Sequence, residues 1–377
     1  MCGLVYHPKY LEYDLGAQHP FSPLRIKMVT ELLEELGHEL NYELPELIPP
    51  EKLQTVHDTE YIEVVELAGM GVNDERFEKY GLGTADNPVK TGMSEAARYI
   101  CGGTLHGAKL MLDGKYKKVL QLGGGFHHAH ENLASGFCLY NDLALAITEM
   151  INRGWHVVYL DIDVHHGDGL QKMFYEDDRV MTISLHESGE YLFPGTGWIY
   201  ESGRGMGKSL KLNLPFEPFT EGKSYVEILE ELLELALGYF RPDALIVQAG
   251  ADAHFSDPLA DLMLTTHDYE RIFKTIIRKS EKYANGRLLF TFGGGYSFEA
   301  TARIWSLLYL VLTNSNIPEK LPGAWIKKWE EGLGVKIKDT FHDTNPFYKP
   351  IPRKNEIENH NKDTFRRLLD IVTPDWL

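Results

Sequence analysis

The stretch VVYLDIDVHHGDG, Val157 to Gly169, decides the fold. Its opening, Val157–Ile162, is short, mostly apolar and rich in β-branched residues, which reads as a buried strand rather than a helix. Working outward, four more runs of this kind occur at Val119–Leu122, Val180–Leu185, Ala244–Gln248 and Leu288–Phe292. Between them lie amphipathic stretches with apolar residues at helical spacing, among them Tyr225–Tyr239 and Tyr269–Tyr283. An earlier helix is expected over Leu24–Leu36, with Ser22 as cap and Pro23 in its first turn. Strand–helix alternation of this kind predicts an α/β fold, a parallel twisted sheet covered by helices on both faces.

Unusual residues gather just after these strands. Gly123–His130 follows the first, Asp161–Gly169 the second, His186 the third, Gly250–His254 the fourth and Gly293–Tyr296 the fifth. Parallel sheets bind ligands beyond the carboxyl ends of their strands, so five segments are expected to deliver polar groups to one edge. That favours one domain over residues 1–377, with a core of about 1–313 and a segment 314–377, richer in Pro, Lys and Glu, wrapping the surface.

In an extended segment, residues two apart share a face, so Asp161, Asp163 and His165 can converge. Buried carboxylates are costly without a cation or hydrogen-bond donors, and two carboxylates with an imidazole are natural ligands for a divalent metal. A hydrogen-bonded strand end would explain a lone Asp–His pair; three alternating ligand types favour metal. Asp252, directly after Ala244–Gln248, supplies a further ligand on the same edge, although alone it would read as a cap or turn residue. Gly123-Gly124-Gly125-Phe126-His127-His128 is neither a dinucleotide fingerprint nor a phosphate loop. Its paired histidines suit metal ligation, proton transfer or simple hydrogen bonding. His130, His166, His186 and His254 read as supporting or surface residues. Tyr296 can aim a hydroxyl at a developing oxyanion, or can be one packed aromatic among twenty tyrosines.

Composition narrows the partners. The 377 residues are 43% apolar and carry a net charge of −17, from 55 acidic and 38 basic residues. An acidic surface repels phosphate backbones and favours cationic partners. Three scattered cysteines, Cys2, Cys101 and Cys138, argue against a disulfide framework or a thiolate metal site. No apolar run approaches the ~18 residues of a membrane span. The chain opens without a basic stretch followed by an apolar run, so a cytoplasmic protein is expected.

Taken together, GGGFHHAH (123–130), SGFCLYND (135–142), YLDIDVHHGDG (159–169), SLHESGEYLFPGTG (184–197), QAGAD (248–252) and FGGGY (292–296) resemble the zinc-dependent histone deacetylases in their compact bacterial form, typified by acetoin-utilisation proteins. The resemblance extends from His19-Pro20 to roughly Thr313 and implies an arginase/deacetylase-like sheet of about eight strands. It also implies residue roles. Asp163, His165 and Asp252 match metal ligands, Zn2+ first, with Fe2+ or Co2+ also suited to the set. His128 matches the general base and acid, His127 the second histidine, and Asp161 and Asp168 the carboxylates orienting His127 and His128 respectively. Tyr296 matches the carbonyl-polarising tyrosine. Gly136, Phe137 and Phe193 resemble substrate-tunnel positions and Asp86 the rim carboxylate. Arg25 resembles the arginine of an internal acetate channel. Asp161, Asp163, His165, Ser184 and Leu185 match a K+ or Na+ site.

Two positions depart from the pattern. Leu192 stands where many relatives carry an aromatic, and Leu259 where eukaryotic polyamine deacetylases carry Glu. An apolar Leu259 weighs toward acetyl-lysine in proteins and against acetylated polyamines. Two other readings remain at this stage: a two-manganese arginase-like hydrolase, and a catalytically silent module that binds acetylated ligands. The oligomeric state is not legible.

Overall fold

The computed structural model describes residues 2–345 and 347–376. Eight strands form one sheet: β1 (Cys2–Val5), β2 (Tyr42–Glu43), β3 (Lys118–Gln121), β4 (Val157–Asp161), β5 (Val180–Glu187), β6 (Lys211–Phe216), β7 (Ala244–Gln248) and β8 (Leu288–Thr291). Their order is β2-β1-β3-β8-β7-β4-β5-β6, and every pairing is parallel. The expected α/β fold with a parallel sheet is therefore observed.

Alternation along β4 shows how the sheet is covered. Val158 and Leu160 pack into one apolar cluster, with Leu229, Ile276 and Leu308 from flanking helices. Val157 and Tyr159 face a second cluster, with Ile147 and Met150. Successive strand residues point to opposite faces, so each cluster is the helix-covered core of one face.

The expected Ala244–Gln248 matches β7 at both ends, the other four expected strands differ by one or two residues at one or both ends, and β1, β2 and β6 were not expected. β1 and β2 have four and two residues, too few for a periodic signal. In β6 the pattern KLNLPF is broken by Lys211, Asn213 and Pro215. Proline is tolerated there because β6 is an edge strand. The first long helix covers Leu24–Glu35, and Pro23 occupies the cap position itself. Ser22, expected as the cap, instead accepts the Leu24 N–H at 3.3 Å.

The register explains why distant motifs meet. Gln121, Thr291, Gln248, Asp161, Ser184 and Asn213 are successive neighbours across the sheet. All six are buried, which makes a polar row across six strands, at the carboxyl ends of β3, β4, β7 and β8 and within β5 and β6. Residues after 313 also reach inward. Trp325 is buried and its Nε1 donates to the Met28 carbonyl at 3.0 Å, while Asp343 and Asn361 are buried polar anchors.

Candidate active site

Beyond the polar row, β4 continues into the loop holding Asp163 and His165, and β7 into the turn holding Asp252. His165 Nδ1 lies 3.1 Å from Asp163 Oδ1 and 3.2 Å from Asp252 Oδ2. One ligand atom from each residue falls within 4.8 Å of the others, and all three side chains are buried. The second oxygens are tied back. Asp163 Oδ2 accepts from Gln248 Nε2 at 2.6 Å and the Gly294 N–H at 2.7 Å, and Asp252 Oδ1 accepts the Val164 N–H at 2.9 Å. Such contacts orient a ligand set. Gly294 is required sterically, since a Cβ there would lie 2.0 Å from Asp252 Oδ2.

The charge balance of this cluster fits a divalent cation. Burial, reinforced by Asp163, pushes the Asp252 carboxyl up to about 8. Burial opposes charge on His165, but Asp163 and Asp252 outweigh it and raise the imidazole to about 10. Two buried carboxylates thus compete for one imidazole, and a 2+ ion would relieve the deficit of positive charge.

The paired histidines sit beside this cluster and differ from each other. His127 Nδ1 lies 2.7 Å from Asp161 Oδ2, which also accepts the Tyr159 hydroxyl at 2.6 Å. Burial disfavours its cation, yet Asp161 and Asp163 raise it to about 9. His128 Nδ1 lies 2.8 Å from Asp168 Oδ1, and His130 Nε2 lies 3.1 Å from the other oxygen of Asp168. Burial and the neighbouring His127 lower His128 to about 3, so its Nε2 is a free base. Gly136 packs flat on this ring: a Cβ would lie 2.3 Å from His128 Cδ2, and its φ is +50°.

Tyr296 completes the group. Its ring is 6.4 Å from His165 and 5.8 Å from Phe137, edge-on to both. Phe193, 43% exposed, stands 5.0 Å from His128. A cavity of ≈ 20 Å³, room for about one water, is lined by His127, His128, Gly136, Phe137, Asp163 and Tyr296, among others. Arg25 is buried behind Tyr296, donating to the carbonyls of Gly293 at 3.1 Å and Gly295 at 2.8 Å.

Peripheral expectations distribute unevenly. Asp86 is exposed, and its carbonyl lies 3.2 Å from His19 Nε2, whose ring packs edge-on against Phe137 at 4.5 Å. Asp161 pairs with Ser184 across the sheet, whereas the Leu185 carbonyl accepts the Tyr225 hydroxyl at 3.2 Å. Leu259 does not line the small cavity; its N–H donates to Asp257, whose other oxygen accepts the Tyr296 N–H at 2.7 Å. Asp257, Gln248 and Tyr159 were missed as site residues. Tyr159 within β4 and Gln248 at the end of β7 are polar groups in otherwise apolar strands, whereas Asp257 lies nine residues beyond β7 in a loop that carries no local signal. His166, His186 and His254 are buried supports rather than surface residues.

The histone deacetylase domain matches residues 19–312, more than three quarters of the chain. The chain belongs to the histone deacetylase family. Within this deacetylase family, it is 39% identical over 371 residues to the acetoin utilization protein AcuC of Bacillus subtilis, covering 97% of this chain and 96% of that one. AcuC of Staphylococcus xylosus is 32% identical, with 97% of each chain covered. The crystal structure of a histone deacetylase homologue from Aquifex aeolicus superimposes with a TM-score of 0.85 at 28% identity, over 97% of this chain and 99% of that one. A homologue solved in complex with SAHA gives the same TM-score at 27% identity and the same coverage.

Proposed function

We propose that this deacetylase removes acetyl groups from acetyl-lysine side chains of proteins in the cytoplasm, using a divalent metal held by Asp163, His165 and Asp252. The observation that carries this reading is the meeting of three elements within one buried pocket. They are a ligand set short of positive charge, a neutral His128 fixed by Asp168, and the Tyr296 ring. Zn2+ suits the ligand set, and Fe2+ or Co2+ would also be accepted. When bound, the ion supplies Lewis acidity, which polarises an amide carbonyl and makes water a better nucleophile near neutral pH.

The remaining steps belong to the chain. With Nδ1–H donated to Asp168, His128 takes a proton from the attacking water at Nε2 and returns it to the departing amine nitrogen. Tyr296 donates its hydroxyl proton into a hydrogen bond with the carbonyl oxygen as negative charge grows there. His127, paired with Asp161, holds positive charge beside the same position. Phe137 and Phe193 form apolar walls for a lysine stem and a neutral amide, Gly136 lets the wall approach His128, and Asp86 sits outside for substrate backbone. Arg25 lines an inner acetate path. Asp161, Asp163, His165, Ser184 and Leu185 hold K+ or Na+, a reading supported by the pairing of Asp161 with Ser184. Among the described residues no helix is long and apolar enough to cross a membrane.

The test is hydrolysis of a fluorogenic acetyl-lysine peptide with Zn2+, beside acetylated polyamines and an Asp252→Ala control. Peptide turnover that disappears in the control is expected. Preference for polyamines would overturn the substrate assignment and the argument from Leu259. No turnover of either, with metal bound, would overturn the catalytic reading.

A further inference from the structure

Asp168 serves two histidines, not one. His128 Nδ1 and His130 Nε2 meet its two carboxylate oxygens at 2.8 and 3.1 Å. Burial opposes charge on Asp168, but the hydrogen bonds of His128 and His130 hold it ionised, well below the usual carboxylate range. An ionised carboxylate only accepts, so both imidazoles donate to it, His128 through Nδ1–H and His130 through Nε2–H. Among the described residues its side chain has no other donor. An aspartate tied at one oxygen can swing and carry its partner imidazole with it. A second donor on the other oxygen fixes the carboxylate plane.

Packing alone does not call for histidine at position 130. Its Nδ1 is buried without a hydrogen-bond partner among the described residues, a cost that an apolar side chain would avoid. The ring is nevertheless carried on a fixed backbone. His130 N–H donates to the Leu133 carbonyl at 3.0 Å, and the His130 carbonyl accepts the His57 Nδ1–H at 3.0 Å. The Asn141 N–H donates to His57 Nε2 at 2.9 Å, which places the His57 proton on Nδ1. The turn carrying Asp168 lies flat on the same segment. Leu170 N–H donates to the His127 carbonyl at 3.0 Å, and a Cβ at Gly169 would fall 2.4 Å from the Ala129 carbonyl oxygen.

His130 itself does not reach the reacting atoms. It is absent from the lining of the small cavity beside Tyr296. It borders instead an outer cavity of ≈ 810 Å³, with Lys172, Glu176, Glu201 and Arg204. Any effect on the reaction therefore runs through Asp168. We propose that His130 is a positioning residue for deacetylation, a role that rests on His128 being the base of the proposed reaction. Its Nε2–H pins the second oxygen of Asp168 and so keeps His128 Nε2 aimed at the attacking water.

The experiment is steady-state hydrolysis of the acetyl-lysine peptide by the Zn2+-loaded full-length chain, compared across His130→Leu, His130→Gln and His128→Ala. Leucine removes the donor, and glutamine returns an N–H at similar reach. His130→Leu should lower kcat about tenfold while staying folded at the assay temperature and keeping its KM. His130→Gln should recover most of that loss. In an Asp168→Asn background His130→Leu should add nothing, because the oxygen it pins is gone. Wild-type kcat in His130→Leu, with His128→Ala inactive, would overturn the role of His130 and leave the base assignment intact. Equal losses in His130→Leu and His130→Gln, a loss expressed in KM, or a full further loss in the Asp168→Asn background would overturn it as well, since His130 would then only support the fold. Activity retained in His128→Ala would overturn the base assignment and the role of His130 together.

Discussion

Asp252 at the sheet edge and Asp343 in the segment beyond residue 313 are almost equally withdrawn from solvent, at 0% and 2% exposure, yet their carboxyl groups respond in opposite directions. Burial should raise both. At Asp252 it does, with Asp163 adding to the effect. At Asp343 the contacts of His254 and Arg303, with Lys338, overcome burial and hold the group well below the carboxylate range. Arg303 Nη1 and Lys338 Nζ lie 3.1 and 2.8 Å from its Oδ1, and His254 Nε2 lies 2.9 Å from its Oδ2. One carboxylate has cations supplied by the fold and acts as a strut. The other is left short of positive charge, which is what an ion-binding site needs and a purely structural site avoids.

The largest expected effect is a difference in sign between two matched variants. Asp343→Asn removes the carboxylate shared by the fully buried Arg303, His254 and Lys338, leaving Arg303 only Glu299, at 2.8 Å, as a carboxylate partner. It should destabilise the protein by about 3 kcal/mol, the lower end for a broken buried pair. Asp252→Asn, compared with wild type after metal removal and above pH 8, where the folded chain must ionise Asp252 against burial and Asp163, should leave stability unchanged or increased. Urea unfolding of both, metal-free, decides the matter. Equal destabilisation would break the comparison, because Asp252 would then be a strut as well.

Tyr296 sharpens the same contrast between holding the fold and serving the reaction. Its hydroxyl makes no hydrogen bond among the described residues, while its backbone N–H is held by Asp257. Removing the hydroxyl should therefore barely alter stability. It should cost about 2.7–4 kcal/mol of transition-state stabilisation, as for loss of one oxyanion donor. Tyr296→Phe is expected to lower kcat by about 10²–10³ with an unchanged unfolding midpoint. Unchanged kcat would remove Tyr296 from the chemistry.

What could be read in advance follows the same division. The strands β3, β4, β5, β7 and β8 and the groups beyond them were legible because apolar runs ending in Asp, His and Gly concentrate the signal within a few residues. Asp163 and His165 share such a run, and Asp252 stands just past another. The strut was not legible: Asp343, Arg303 and His254 lie on separate segments, and Asp343 sits in a stretch that reads as surface wrapping. The short strands β1 and β2 owe their place to pairing with neighbours, a tertiary fact that carries no periodicity.

The gentlest test of the comparison is the pH dependence of stability after metal removal. Asp252, raised to about 8 by burial and Asp163, holds a proton in the folded chain that it loses in the unfolded chain above the ordinary carboxylate value of about 3.9. His165, raised to about 10 by Asp163 and Asp252 against the pull of burial, does the same above about 6.5. Both folded values lie above the unfolded ones. Their contribution is complete below the unfolded values and is lost as pH rises through the folded ones. The two windows overlap between about 6.5 and 8, where each proton contributes a slope of at most ~1.4 kcal/mol per pH unit. Asp343 has the opposite sense, its contribution being lost only as pH falls below the carboxylate range. The metal-stripped protein should thus weaken between pH 6.5 and 8. Asp252→Asn should flatten that decline, and Asp343→Asn should leave its slope intact while lowering the whole curve. Zn2+ should reverse the slope, because binding displaces the protons these ligands hold. A flat profile in the metal-stripped wild type would mean that the fold already neutralises Asp252, and the distinction from Asp343 would be lost.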